Sequence, residues 1–223
     1  MTKTEKPVRK KPIWTSILIV IGVACIAIGA LGLADYFSRT QTGATIPDTT
    51  TIISSDQAIS EKKPDAIQDS YKVAADQPRV IEIPKLNVSA YIQRVGVDPQ
   101  NRMATPNNIH FAGWYVNGVS PGQDGLSIIN GHAGGRYTDG IFKHLNDLEP
   151  NDSIRVQLGD LSWKDFIVVS NATYSESESA AVLFKDDTSI DRELHLITCD
   201  GVFDDKTQTY DARTIVIARL KDA

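Results

Sequence analysis

Three hydrophobic textures follow one another along the chain. Residues 13–33, IWTSILIVIGVACIAIGALGL, form an apolar run without a charged side chain. At ~1.5 Å rise per residue, a helix of that length spans about 31 Å, the thickness of a bilayer's hydrocarbon core. From about Phe37 to Gln77 the chain is rich in Thr, Ser, Asp, Lys and Ala. It has no sustained periodicity there, which predicts a flexible linker. From Arg79 onward, short β-branched and aromatic runs are split by turn residues.

These runs are RVIEIP (79–84), AYIQRVGV (90–97), HFAGWYV (110–116), GLSIINGH (125–132), SIRVQL (153–158), LSWKDFIVVS (161–170), ELHLITC (193–199) and RTIVIARL (213–220). Eight short strands predict a mainly β fold, a closed or nearly closed barrel. Leu158-Gly159-Asp160-Leu161 predicts a tight hairpin, with Gly or Asp supplying the positive φ. The stripe Ile141, Leu145, Leu148 predicts a helix over 140–148, and SESESAAVLFK (175–185) a second short one. The expected organisation is a basic tail (1–12), a membrane helix (13–34), a flexible linker (35–77) and a β domain (78–223).

Charge orients this arrangement. Residues 1–12 carry five cations against one acid, net +4, so the remainder carries −9 of an overall −5. A basic segment before an apolar helix stays in the cytoplasm, which puts the β domain outside the cell membrane. Ala30, Gly32 and Ala34 admit a cleaved signal peptide, but the apolar run exceeds the roughly 7–15 residues of such a core. An acidic body argues against nucleic acid as partner. Cys25 and Cys199 are the 2 cysteines. They exclude a disulfide framework and offer no zinc spacing, so neither metal nor cofactor is expected. Cys25, inside the apolar run, reads as inert.

Cys199 ends an apolar strand before Asp200-Gly201. A lone cysteine is commonly a small hydrophobe, but an unpaired thiol outside the membrane risks oxidation and calls for an explanation. A nucleophilic thiol needs a basic neighbour. His195 shares the strand face, yet four residues at ~3.3 Å each put it about 13 Å away. His144 reads as surface, and His110 as a packing residue. His132 ends LSIIN among Gly131, Gly134 and Gly135, where an imidazole can project from a rim; a plain turn histidine is the alternative. Arg213 opens the strand after Cys199. If the two strands are antiparallel neighbours, it lies beside the thiol and can hold an oxyanion, while Arg219 is about 20 Å further along. A solvated edge charge is the rival reading of Arg213.

This combination resembles the sortases, cysteine transpeptidases of the surface of Gram-positive bacteria, most in the flavour of classes E and F. Their signature Thr-Leu-x-Thr-Cys corresponds to His195-Leu196-Ile197-Thr198-Cys199, with His195 in place of the first Thr. The strand-ending histidine corresponds to His132 and the following strand's arginine to Arg213. IPKLNV (83–88), GWY (113–115), PGQDG (121–125), GHAGG (131–135), IFKHLNDLEPND (141–152) and CDGVFDDKTQTYDARTIVIA (199–218) also match.

The resemblance implies an eight-stranded barrel whose groove takes a Leu-Pro-x-Thr-Gly (LPxTG) sorting signal. Cys199 would attack the Thr carbonyl, and an amine of a cell-wall precursor or a pilin would resolve the thioacyl-enzyme. His132 would serve as general acid and base, and Arg213 would steady the oxyanion. Thr198 would hydrogen-bond the substrate or organise the cysteine. A papain-like peptidase would place Cys before His, and an L,D-transpeptidase would need a Ser-His-Gly-x-Cys-x-Arg-like motif, which LITCDG lacks. A membrane-tethered binding module with a dead site is the non-enzymatic alternative.

Overall fold

The computed structural model describes residues 13–40, 46–54, 59–64, 66–187, 190–206 and 209–221, without the side chains of residues 13–20, 22 and 23. The expected basic tail, 1–12, lies outside them. Two compact units emerge, Met1–Arg39 and Thr40–Ala223. The first holds the helix α1 (Ile13–Thr40). Among the described residues no helix is long and apolar enough to cross a membrane, and side chains from the first half of the apolar run are not among them.

The second unit is a barrel of β1 (Pro78–Ile83), β2 (Val88–Val95), β3 (Ala112–Tyr115), β4 (Leu126–Gly131), β5 (Ser153–Leu158), β6 (Trp163–Ser175), β7 (Glu193–Asp204) and β8 (Thr209–Leu220), with the short helix α2 (Glu176–Leu183) between β6 and β7. The strands close in the order β1-β2-β3-β4-β7-β8-β6-β5. The β2–β3 and β4–β7 pairs are parallel. Ile81, Ile92, Ile129, Leu194, Leu196 and Val216 alternate into the interior cluster. Ile128, Ile197 and Ile215 face the other side of their strands and are covered by Leu183 of α2. Strand β7 is therefore buried on both faces from Glu193 to Thr198, which explains its unbroken apolar run.

The eight-stranded barrel and α2 agree with the pattern of the sequence; three local features differ. No α-helix forms over 140–148. Instead Lys143, Leu145, Asp147 and Leu148 each donate to the carbonyl three residues back, at 3.0–3.3 Å. A turn of three residues stacks positions i and i+3, so Phe142, Leu145 and Leu148 align and bury at 0–2% exposure. The stripe begins at Phe142, not Ile141. In the β5–β6 hairpin the positive φ belongs to Leu161 (69°). Gly159 is needed for space, since a Cβ there would stand 2.1 Å from the Ala74 carbonyl oxygen.

The third difference revises the linker. Its described residues from Ile53 onward lie on the barrel as a strap. Ile53 bridges to Val95 and Ser60 to Asn108. Tyr71 is 2% exposed, donates its hydroxyl to the Ile92 carbonyl, and meets Tyr91 edge-on at 4.8 Å. Polar composition hid these anchors, because few apolar side chains and many main-chain bonds hold the segment. Tyr71→Ala is expected to lower stability by about 3–5 kcal/mol, the range for removing a buried aromatic ring, in urea unfolding of the full chain. A loss under about 1 kcal/mol would return the segment to the status of a free linker.

Candidate active site

Strand β7 makes the site by pairing with β4 on one side and β8 on the other. Leu126 to Asn130 of β4 pair in parallel with Glu193 to Ile197. Extending that constant offset sets Gly131 beside Thr198 and His132 beside Cys199. The first is confirmed by a side-chain bond, since the Thr198 hydroxyl donates to the Gly131 carbonyl at 2.9 Å. On the other side the antiparallel ladder matches Cys199 with Arg213, and β6 matches Tyr174 with Arg213. Cys199, Arg213 and Tyr174 thus form one row across three strands spaced about 4.8 Å apart, and the continued offset adds His132, one residue past the end of β4.

The regular ladder stops just past the thiol. The register of β7 against β8 slips between Asp200 and Phe203, and Gly201 sits at φ 82°. A Cβ on Gly201 would come within 2.1 Å of Asp211 Oδ1. Asp200 is held by the hydroxyls of Thr214 (2.6 Å) and Thr173 (3.1 Å), bonds that keep its carboxyl below the usual range. A bulge next to a reactive residue re-aims the strand. Beyond it β7 and β8 run on past the ends expected for them, to Asp204 and from Thr209.

Burial pushes the Cys199 thiol up, while Arg213 pulls it down and Glu176 pushes it up again. The half-buried His132 is displaced the other way, its imidazole pushed down by burial against the opposing bond to Pro106. Its Nε2 lies 2.7 Å from the Pro106 carbonyl oxygen. A carbonyl only accepts, so Nε2 carries the proton and the neutral ring has its lone pair on Nδ1. With ordinary values of ~8.5 and ~6.5, a thiolate–imidazolium pair would be about 1% populated at pH 7, and both shifts reduce it. The resting pair is neutral.

Arg213 is bound at both terminal nitrogens. Nη1 donates to the carbonyls of Tyr210 (2.7 Å) and Ala212 (2.8 Å). Nη2 reaches the Thr209 hydroxyl and Glu176 Oε1, each at 3.0 Å. Glu176 opens α2, whose start is fixed by Ser175 donating its hydroxyl to Glu178 at 2.6 Å. The helix and the arginine therefore hold each other over the thiol's face.

Thr198 is buried, and its hydroxyl donates to the Gly131 carbonyl, which fastens the β4–β7 seam beside Cys199. His195 is fully buried, with Nδ1 2.9 Å from the Leu183 carbonyl and Nε2 2.9 Å from Glu193 Oε1; it fastens the end of α2 to β7. Exposed His144 lies 3.3 Å from Asp147, and His110 reaches the Glu61 carbonyl at 3.3 Å. Tyr174, Glu176 and Pro106 escaped sequence reasoning. Register carries the first two to Arg213, and no side-chain signal marks a carbonyl. Among the described residues no group of His, Cys, Asp and Glu could hold a metal ion.

The Sortase domain family model matches residues 81–221. No curated protein matches the chain. Among solved structures, it is similar to a lid mutant of sortase A from Corynebacterium diphtheriae, at 21% identity over 65% of this chain and 69% of that one, TM-score 0.49. Sortase C-1 from Actinomyces oris is 21% identical over 65% and 73%, TM-score 0.48. A sortase E variant from Streptomyces avermitilis is 20% identical over 67% and 91%, TM-score 0.49.

Two substitutions test the electrostatics around the thiol. Arg213→Gln removes the cation that lowers the thiol pKa, so the rise in iodoacetamide alkylation of Cys199 moves to higher pH. Glu176→Gln removes the acid that raises it, so the rise moves to lower pH. A limb that stays put in both variants would separate Arg213 and Glu176 from the thiol.

Proposed function

The chain belongs to the sortase family of cysteine transpeptidases, and from that premise we propose that it cleaves an LPxTG-type sorting signal between Thr and Gly and transfers the acyl group to an amine. The observation that carries this reading is Cys199 opposite Arg213 in the β7–β8 ladder, with His132 one residue past the end of β4, where the β4–β7 offset continued sets it beside the thiol. A thiol between an imidazole and a guanidinium meets the needs of acyl transfer, which are a nucleophile, a proton carrier and an oxyanion partner.

The resting pair is neutral, so the thiol proton passes to His132 Nδ1 as Sγ attacks the Thr carbonyl carbon. Arg213 stabilises the oxyanion, its Nη2 turning from Glu176 toward the substrate. As the C–N bond breaks, His132 gives the proton to the leaving Gly amine, and the thioester remains on Cys199. An incoming amine attacks that thioester. His132 takes its proton and returns it to the departing sulfur. The acceptor in this reading is a cell-wall precursor or a pilin, and the donors are surface proteins bearing the signal. The segment 13–33 anchors the enzyme in the cell membrane with the barrel outside, as its apolar length and the +4 tail suggest.

The full chain in detergent, given a Leu-Pro-x-Thr-Gly peptide and an amine, is expected to release the tail. Mass spectrometry should find an acyl adduct on Cys199 alone. Cys199→Ala should abolish release, and His132→Ala should reduce it by about 10²–10⁴-fold, the worth of a positioned general acid–base. Undiminished release by Cys199→Ala would refute the mechanism. A wild-type chain that binds signal peptides without forming an adduct would be a binding module.

A further inference from the structure

Glu61 belongs to the strap and is 4% exposed. Its carboxylate is occupied by main chain. Oε1 accepts the N–H of Arg136 at 2.8 Å, and Oε2 accepts those of Tyr137 at 2.8 Å and Thr138 at 3.1 Å, with the Thr138 hydroxyl at 3.5 Å. These donors form the tip of the loop that leaves His132. Its neck is closed by Gly135 N donating to Thr138 O (2.8 Å) and Gly140 N to Ala133 O (2.9 Å). Successive N–H groups converging on one point make an anion cradle, and here the anion is part of the chain. The backbone is cut to fit it, since a Cβ on Gly135 would lie 2.5 Å from Glu61 Cδ.

The same strap residues hold the other wall of the imidazole. Ser60 N donates to Asn107 O at 2.9 Å and Ile109 N to Ser60 O at 3.0 Å. Asn108 Nδ2 donates to the Lys62 carbonyl at 2.9 Å. That segment carries Pro106, whose carbonyl takes the His132 ring proton. One wall fixes where the His132 backbone goes, the other fixes the ring, and residues 60–62 clamp both.

We propose that Glu61 is a positioning residue for His132: by neutralising the cradle at 136–138 it holds the imidazole in the Nε2–H tautomer with Nδ1 free toward Cys199. The role as stated rests on the transpeptidase reading, because positioning matters to the rate only if His132 carries protons. The polar segment before the barrel is then part of the catalytic unit.

The test compares full-length wild type, Glu61→Ala and Glu61→Gln, each checked for cooperative melting. In Glu61→Ala, kcat should fall about 10- to 100-fold, as a small misplacement of a reacting group costs, with KM within about twofold. Added acetate should restore part of kcat in that variant and none in wild type. Glu61→Gln keeps one acceptor and the side chain's shape, so its loss should be smaller; it carries the test if Glu61→Ala does not fold. Nitrogen NMR of His132 reads the claim without turnover: one tautomer in wild type, a mixture in the variants. Unchanged kcat with a folded variant, or an unchanged His132 spectrum, overturns the proposal. If wild type processes no peptide, the transpeptidase reading fails, and the His132 spectra alone decide whether Glu61 sets the imidazole.

Discussion

The parallel ladder between β4 and β7 is the constraint on which the rest of the site depends. Strands so paired cannot be joined by a tight turn, and here 61 residues separate the end of β4 from the start of β7. That connection holds β5, β6 and α2, so the site joins strands far apart in the chain. Register leaves no latitude, because a slip of one residue would turn Cys199 inward and bring Thr198 to the face beneath α2. The Thr198–Gly131 bond and the Phe142 ring seated on Gly131 both resist that slip. A Cβ on Gly131 would stand 2.5 Å from the ring.

What this geometry produces is a half-buried thiol and imidazole, both shifted toward their neutral forms, with a tethered cation. Burial acts in opposite directions on a thiol and an imidazole, so the seam that brings them together also keeps them uncharged. The thiol is protected at rest, and charge must be created when substrate arrives. In the proposed cycle Arg213 supplies the compensating field, and its terminal nitrogens begin bound to Glu176 and to its own strand. Binding a carbonyl there means exchanging partners, which ties substrate entry to the start of α2.

Much of this was legible in the sequence, for identifiable reasons. Strands alternate or run apolar because each face has a fixed fate, so the eight runs emerged with shifted ends. Cys199 and Arg213 could be paired because consecutive strands pair readily as hairpins. His132 was marked by the glycines that give it room. The parts that were missed depend on main chain. The 140–148 segment carries apolar residues at both three- and four-residue spacings, and only packing selects the former. Glu61 sits in a stretch whose composition reads as linker, and its partners are three backbone N–H groups that no residue type announces. For Thr198 the sequence left two roles open, because a hydroxyl next to a nucleophile looks the same whether it faces substrate or seam.

Chemical cross-linking tests the β4–β7 register most directly. His132→Cys puts a second thiol opposite Cys199, and neighbouring strands at about 4.8 Å fall inside the Cα range a disulfide spans. Asn130→Cys puts it on the same side of β4, two residues back. Mild oxidation followed by peptide mapping should join residue 132 to Cys199 and leave residue 130 unjoined. A bridge from position 130 with none from 132 would contradict the account.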